Sequence, residues 1–155
     1  KARGTERYGL LASSEGKRLR GIGIWVPSEI NHVGWFLNQK DNVDSSYFLE
    51  VAASEFKVQG LEIDYSLLAW DADLRRSDDD FDYFKFRGTR WNHVNNLQQQ
   101  KYLKNAYRFL IPRARQGVVI FIPEGVDPEE DSSRSHFYYD DIYKYLRSCG
   151  IIELE

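Results

Sequence analysis

The chain has 155 residues, of which 42% are hydrophobic and 29% charged, and its formal net charge is −3. This composition fits one globular domain with its own core, and the negative charge argues against a dedicated nucleic-acid clamp while leaving room for a local basic patch. A single cysteine, Cys149, excludes an internal disulfide. The sequence has no signal peptide and no apolar run long enough to span a bilayer, so we expect a cytoplasmic protein without a membrane partner. Because it starts with Lys1 and contains no methionine, we also expect it to be a piece of a longer protein.

The first predicted strand is followed by a polar loop. The apolar run at residues 8–13 predicts the strand, and ligands often gather after strand ends in open α/β sheets. Gly16 and Lys17 in the loop suggest a phosphate-binding loop. However, Leu11 stands where that motif needs its first glycine, and Arg18 stands where it needs Ser or Thr. The sequence therefore contains no Walker A motif.

Further short elements follow, and they place the chain in the α/β class. Apolar runs and helical spacing predict brief extended segments at residues 24–26 and 51–53, short helices at residues 31–38 and 45–50, and a buried strand at residues 63–70.

A dense run of carboxylates occupies residues 71–82, directly after the predicted buried strand. Asp71 and Asp73 lie at the strand's C-terminal end, where metal-binding carboxylates are common, and Mg²⁺ takes one or two carboxylates plus substrate oxygens. The interpretation that we favour is a solvated surface loop, because blocks of like charge repel one another. A weak alternation at residues 83–86 then predicts an edge strand, and residues 88–91 a turn.

A helix with a basic end is predicted in the second half of the chain. Asn96 followed three residues later by Gln99 resembles a capping box, and apolar residues recur behind it at helical spacing. We expect Arg113 and Arg115 in the last helical turn, where cations complement the helix dipole, and Gly117 as the stop.

The chain ends with a predicted strand and a predicted helix. The unbroken apolar run at residues 118–122 is typical of a strand covered on both faces. A helix follows at residues 138–148, and its apolar stripe of Ile142, Leu146 and Cys149 predicts a thiol packed in the core. The histidines are scattered and no Gly-x-Ser-x-Gly motif occurs, so we predict neither a metal site nor a nucleophile elbow.

Two stretches together resemble a known family. Residues 54–64 (SEFKVQGLEID) resemble the superfamily-one helicase motif that reads roughly T-x-H-K-S-Q-G-L-E-F-D. Residues 107–122 (YRFLIPRARQGVVIFI) resemble the later motif of the same proteins, roughly Y-V-A-L-T-R-A-R followed by an apolar strand. More closely, QGLEID, WDADL, FRGTRW and LKNAYRFLIPRARQGVVIFIPEG resemble the bacterial Schlafen-group helicase-like ATPases, over most of the chain from residue 8 to residue 150.

The resemblance implies an α/β, RecA-like three-layer domain with a largely parallel sheet flanked by helices. Residues 1–155 would form a single domain, the second RecA-like half of a longer P-loop NTPase whose first half carries the Walker motifs. The full-length protein would be an ATP-dependent DNA/RNA helicase or translocase with ATP and Mg²⁺ in the cleft between the halves. This half alone would be inactive and bind neither. Its implied partners are the N-terminal RecA-like domain and single-stranded DNA or RNA.

The resemblance also implies roles for individual residues. Arg113 matches the arginine of T-R-A and would be the catalytic finger that reaches the γ-phosphate, since a planar, permanently charged fork spans two phosphate oxygens. The implied nucleotide-binding residues are Gln59, Gly60, Glu62, Arg115, Lys17 and Arg18. The implied nucleic-acid-binding residues are Ser54 and Lys57.

The sequence departs from the family pattern at three positions. Pro112 replaces Thr just before the finger, and a proline inside a helix costs ~3 kcal/mol and kinks it. Phe56 replaces His and Val58 replaces Ser, so ATP hydrolysis is better supported than strand translocation. Two alternatives stay open: a non-catalytic RecA-like interaction module that binds a partner through its aromatic residues, and a metal-dependent nuclease built on Asp71 and Asp73.

Overall fold

A computed structural model describes residues 6–78 and 80–154. It contains a three-stranded parallel sheet together with helices, which confirms the predicted α/β class. In chain order they are β1 (Tyr8–Ala12), α1 (His32–Leu37), β2 (Ile63–Ala69), β3 (Leu74–Ser77), β4 (Asp80–Arg87), β5 (Arg90–His93), α2 (Leu97–Leu110), β6 (Ala114–Phe121) and α3 (Phe137–Ser148). Short 3₁₀ turns lie at Lys17–Ile22, Ser46–Phe48, Ile111–Arg113 and Ser132–Arg134.

The strands form two separate three-stranded sheets. In the first sheet, β1, β2 and β6 lie parallel with β2 in the middle. In the second sheet, β3, β4 and β5 lie antiparallel with β4 in the middle. The second sheet was not predicted: the solvated loop that we expected contains β3, and the expected edge strand is the central strand β4. Phe81 and Tyr83 of β4 pack against the main core, which holds this sheet on the domain.

The two faces of the parallel sheet are covered differently. Leu11, Leu68 and Ile120 lie in register on one face and belong to a core cluster that contains side chains of all three helices. On the other face, Leu10 packs in a smaller cluster with Leu19 from the 3₁₀ turn after β1. The sheet is compatible with the implied RecA-like arrangement.

Strand β6 is less covered than the sequence indicated. Val118, Val119 and Phe121 are 38%, 42% and 39% exposed. The prediction of a strand covered on both faces is wrong, because the neighbouring residues Val118 and Val119 point to opposite faces and both are exposed. Strand β6 lies at one edge of the parallel sheet, with β2 as its strand partner among the described residues.

Helix α2 begins as predicted but ends earlier. The side chain of Asn96 accepts hydrogen bonds from the amides of Gln98 and Gln99, at 3.0 and 3.1 Å, so it caps the helix. The helix ends at Leu110 rather than at the glycine that we expected to stop it. Pro112 has non-helical angles, with φ −85° and ψ 15°, and it lies in the 3₁₀ turn between α2 and β6.

This early end moves the predicted basic residues to different places. Arg113 closes the 3₁₀ turn, and Arg115 is the second residue of β6 rather than part of a last helical turn. Gly117 lies inside β6, where an added Cβ would stand 3.2 Å from the ring of Tyr65. The glycine therefore permits a close side-chain approach and does not end a helix.

The remaining short elements follow the sequence in part. The predicted helix at residues 31–38 is α1, and the one at residues 45–50 is only a 3₁₀ turn. The two extended segments contribute isolated bridges, Trp25 with Val51 and Leu11 with Ala53. None of the helices in the described ranges has the length and apolar character needed to cross a membrane.

Helix α3 confirms the predicted C-terminal helix and corrects one of its residues. Ile142 and Leu146 are buried as expected. Cys149 is exposed, so the prediction of a packed core thiol is wrong. The helix has already ended at Ser148, and the backbone of Cys149 forms its cap.

Replacement of Asn96 tests how α2 is started. We expect Asn96→Ala to lower the free energy of unfolding by about 1 kcal/mol, because two amides at the start of the helix lose their acceptor. Urea denaturation followed by circular dichroism measures the change. Asn105→Ala, an exposed change inside the same helix, is the control and should leave stability unchanged or slightly raised. An equal loss in both variants would contradict the capping role.

Candidate functional site

The two motif stretches meet at the edge of the parallel sheet that is formed by the N-terminal ends of its strands. This edge is distinct from the outer strands β1 and β6. Because β2 and β6 run parallel and Ile63 pairs with Ala114, Glu62 and Arg113 lie next to each other just before the two strands. The loop before them turns at Gly60, which has a φ of 80° that glycine adopts readily. Four predicted nucleotide or catalytic residues therefore share this edge, and we call them the entry-edge cluster: Gly60, Glu62, Arg113 and Arg115.

Arg115 is held in this cluster by a buried carboxylate. Asp64 is 9% exposed and accepts hydrogen bonds from the Arg7 amide at 2.7 Å, the Arg115 guanidinium at 2.9 Å and the Gln116 side chain at 3.1 Å. The Arg7 amide contributes most to lowering the pKa of Asp64, followed by Gln116 and Arg115. Asp64 is therefore charged at neutral pH and pairs with Arg115.

Arg113 is held in a different way. Its Nε donates to the backbone carbonyl of Phe109 at 3.1 Å, and its guanidinium carbon lies 4.1 Å from the centre of the Phe109 ring. The side chain is partly exposed and forms no ion pair with a carboxylate of the described residues. Its charge is thus fixed in place without being neutralised by the domain, which suits the binding of an external anion.

The other predicted residues before β2 lie along the loop that leads to the cluster. Gln59 is exposed and, with Phe56, lines an open groove of about 500 Å³ against α2. Of the predicted nucleic-acid contacts, Ser54 is only 4% exposed. Lys57 forms an ion pair with Glu29 at 3.0 Å. A nucleic-acid strand would have to uncover Ser54 and compete with Glu29 for Lys57.

Lys17 and Arg18 lie at the opposite edge of the sheet. They follow the C-terminal end of β1, whereas Arg113 precedes the N-terminal end of the parallel strand β6. A five-residue strand such as β1 spans roughly 16 Å. The Arg18 amide donates to Asp71 at 2.9 Å, and its guanidinium pairs with Asp131 at 2.9 Å. The structure therefore does not bring these two residues to the entry-edge cluster.

Two carboxyl groups at that opposite edge are buried. We expected a solvated acidic loop, but Asp71 and Asp73 are 1% and 0% exposed. Asp73 accepts hydrogen bonds from the hydroxyls of Ser13 at 2.6 Å and Tyr107 at 2.5 Å. Asp71 accepts one from the Tyr139 hydroxyl at 3.2 Å. These hydrogen bonds connect the ends of β1 and β2 to α2 and α3.

Burial changes the protonation of this pair. Loss of hydration, reinforced by the negative charge of Asp71, raises the pKa of Asp73 to about 8. Loss of hydration also raises the pKa of Asp71. At neutral pH, Asp73 is therefore mostly protonated. The sequence signal was the placement of two carboxyls directly after a buried strand, but their partners Ser13 and Tyr107 are 60 and 34 residues from Asp73 along the chain.

This geometry gives the nuclease hypothesis no support. The oxygens of Asp71 and Asp73 are buried and occupied by protein donors. Across residues 6–78 and 80–154, no group of three or more His, Cys, Asp or Glu side chains is arranged to hold a metal ion.

The motifs, the parallel sheet and the entry-edge cluster together define the class of protein, a helicase-like α/β domain. Residues 1–124 match the family model described as Schlafen group 3, DNA/RNA helicase domain. The chain belongs to this family, which confirms the resemblance at the level of a Schlafen-type helicase-like domain. No match is found among curated proteins or among solved structures.

The protonated carboxyl predicts an unusual dependence of stability on pH. The pKa of Asp73 is raised from about 3.9 in the unfolded chain, so the folded state keeps a proton that the unfolded state releases. This contribution to stability is greatest below about pH 4 and is lost as the pH rises towards 8. As the pH rises through this range, we expect the free energy of unfolding of wild type to fall by up to about 1.4 kcal/mol per pH unit relative to that of Asp73→Asn, whose amide stays neutral. Urea titrations of both proteins at several pH values measure the difference, and a constant difference would contradict a protonated Asp73.

Proposed function

We propose that this domain is the C-terminal, RecA-like half of an ATP-dependent DNA/RNA helicase or translocase. It would act with an N-terminal RecA-like half that carries the Walker motifs. ATP would bind in the cleft between the halves, and Arg113 would reach across it as the arginine finger. The observation that carries the proposal is the convergence of Glu62 and Arg113 at one edge of the sheet, with the Arg113 charge unpaired within the described residues.

The entry-edge cluster fits a nucleotide in three respects. The unpaired guanidinium of Arg113 suits a phosphate group. Open space surrounds the position of a Cβ at Gly60, so a ligand can approach the backbone there. The exposed Glu62 carboxylate is an acceptor suited to ribose hydroxyls. Gln59 and Arg115 flank these groups as additional polar contacts.

The chemical contribution of this half would be electrostatic. Charge develops on the phosphate oxygens during phosphoryl transfer, and a pre-positioned guanidinium stabilises it without reorganising at that moment. Mg²⁺ bound with the nucleotide would neutralise further phosphate charge, and its protein ligands would come from the Walker-containing half. Single-stranded DNA or RNA is the proposed polymer, with Ser54 and Lys57 as its proposed contacts.

A second candidate function is a non-catalytic interaction module, and the edge strand β6 favours it. Val118, Val119 and Phe121 are all exposed by more than a third on this strand. An uncovered apolar strand edge is suited to binding another protein. In that case, the entry-edge cluster would be retained without a role in hydrolysis.

Replacement of Arg113 distinguishes the helicase or translocase function from the interaction module. In the full-length protein, we expect Arg113→Ala to lower the rate of ATP hydrolysis by ~10³-fold or more, with the fold intact. The measurement is steady-state hydrolysis with and without single-stranded nucleic acid. Arg108→Ala is the matched control, because Arg108 is an exposed arginine in the last turn of α2 and outside the cluster. Its turnover should equal that of wild type.

Unchanged turnover in Arg113→Ala would reject the finger and favour the interaction module. Lys17→Ala adds a test of position, since Lys17 lies at the other edge of the sheet. A collapse of turnover in Lys17→Ala but not in Arg113→Ala would place the nucleotide at that opposite edge.

The domain alone should be inactive. Without a phosphate-binding loop it lacks the backbone cradle and the lysine that hold the β- and γ-phosphates, so we expect no measurable ATP hydrolysis by residues 1–155. A phosphate-release assay at high protein concentration measures this. Turnover by the isolated domain that is lost in Arg113→Ala would overturn the division of the site between two halves.

A further inference from the structure

The end of α2 leaves backbone carbonyls without their usual partners. Pro112 has no amide hydrogen, so the helix cannot continue its hydrogen-bond ladder through this position. The backbone turns through a 3₁₀ segment and enters β6 at Ala114. In this turn, the Nε of Arg113 donates to the carbonyl of Phe109 at 3.1 Å. The side chain of Arg113 thus donates a hydrogen bond to a carbonyl in the last turn of the preceding helix α2.

The Phe109 ring supplies a second contact to the same guanidinium. The guanidinium carbon lies 4.1 Å from the ring centre, a cation–π distance. Together, the ring and the carbonyl restrain the long arginine side chain at two points. The terminal nitrogens of Arg113 donate to no acceptor within the described residues, so they remain available as a fork for an anion.

Two other arginines near the ends of the parallel strands are oriented by carboxylates instead. Arg115 pairs with Asp64 at 2.9 Å, and Arg18 pairs with Asp131 at 2.9 Å. Their orientation depends on a carboxylate that also cancels their charge. Arg113 is oriented by a neutral ring and a neutral carbonyl, so it gains a fixed position and keeps its full charge.

We propose that Phe109 is the positioning residue of Arg113: its ring and carbonyl hold the guanidinium at the start of β6, with both terminal nitrogens directed to an incoming phosphate. This inference rests on the proposed function, because it assigns the task for which the arginine is oriented. Phe109 does not itself contact the nucleotide. Its contribution is to hold the finger before the nucleotide arrives, which lowers the ordering required in the transition state.

A double-mutant cycle in the full-length protein tests this inference. The variants are Phe109→Leu, Arg113→Ala and the combination of both, compared with wild type in kcat and KM for ATP. We expect Phe109→Leu to lower kcat by up to about 10²-fold with little change in KM, because the lost orientation matters in the transition state. In the Arg113→Ala background, the same change should have no further effect on kcat. Phe109→Tyr keeps the ring and should keep the activity.

Tyr102→Leu is the matched control, since Tyr102 is another partly apolar ring on α2 that is 65% exposed and lies two turns earlier. Its kcat should equal that of wild type. Thermal unfolding of each variant verifies the fold, and if Phe109→Leu unfolds, Phe109→Met replaces it with a side chain of similar volume and no ring.

The outcomes distinguish the two proposals. Wild-type kcat in a folded Phe109→Leu protein, together with a collapse in Arg113→Ala, would overturn the positioning role and leave the arginine finger standing. An equal drop caused by Phe109→Leu in both backgrounds would also overturn it, since the ring would then act independently of Arg113. Unchanged turnover in Arg113→Ala would instead reject the proposed function itself.

Discussion

The parallel pairing of β2 with β6 is the interaction on which the arrangement of this domain depends. Parallel strands begin at the same edge of a sheet, and the register between Ile63 and Ala114 aligns the two motif stretches there. Buried residues such as Leu68 and Ala69 fix that register, because a slip by one residue would turn them to the opposite face. The core therefore determines which polar residues meet at the surface.

The opposite edge of the same sheet has a different character. There, Ser13, Asp73 and Tyr107 join the ends of β1 and β2 to α2 through buried hydrogen bonds. A protonated carboxyl suits this role, since it is neutral and both accepts and donates hydrogen bonds. The carboxyl groups of Asp71 and Asp73 are thus buried and hydrogen-bonded at this edge, beside the exposed Lys17. The entry edge presents the exposed side chains of Glu62 and Arg115.

Much of the fold was predictable because its signals are local. The apolar runs gave β1 and β2, and Asn96 marked the start of α2 through its own side-chain hydrogen bonds. The antiparallel sheet was missed because carboxylates are frequent around it, although Phe81 and Tyr83 alternate with polar residues and pack on the core. The burial of Asp73 and the exposure of β6 depend on contacts between distant segments. Neither property is encoded in a local pattern.

The residues of the entry-edge cluster were predictable from the sequence, but the position of other predicted site residues was not. Motif resemblance identified Glu62 and Arg113, and the strand register brings them together. The same resemblance could not reveal that Lys17 follows a strand end at the other edge. It also did not indicate the contact between Phe109 and Arg113, although both residues lie in the later motif stretch.

Pro112 connects the fold to the proposed mechanism. It departs from the family pattern directly before Arg113, and a proline inside a helix kinks it. In the structure, α2 ends at Leu110 and β6 begins four residues later at Ala114, so Arg113 stands directly before the strand. The residue that breaks the helix is therefore compatible with the finger, because it allows β6 to start where the register with β2 places Arg113 beside Glu62.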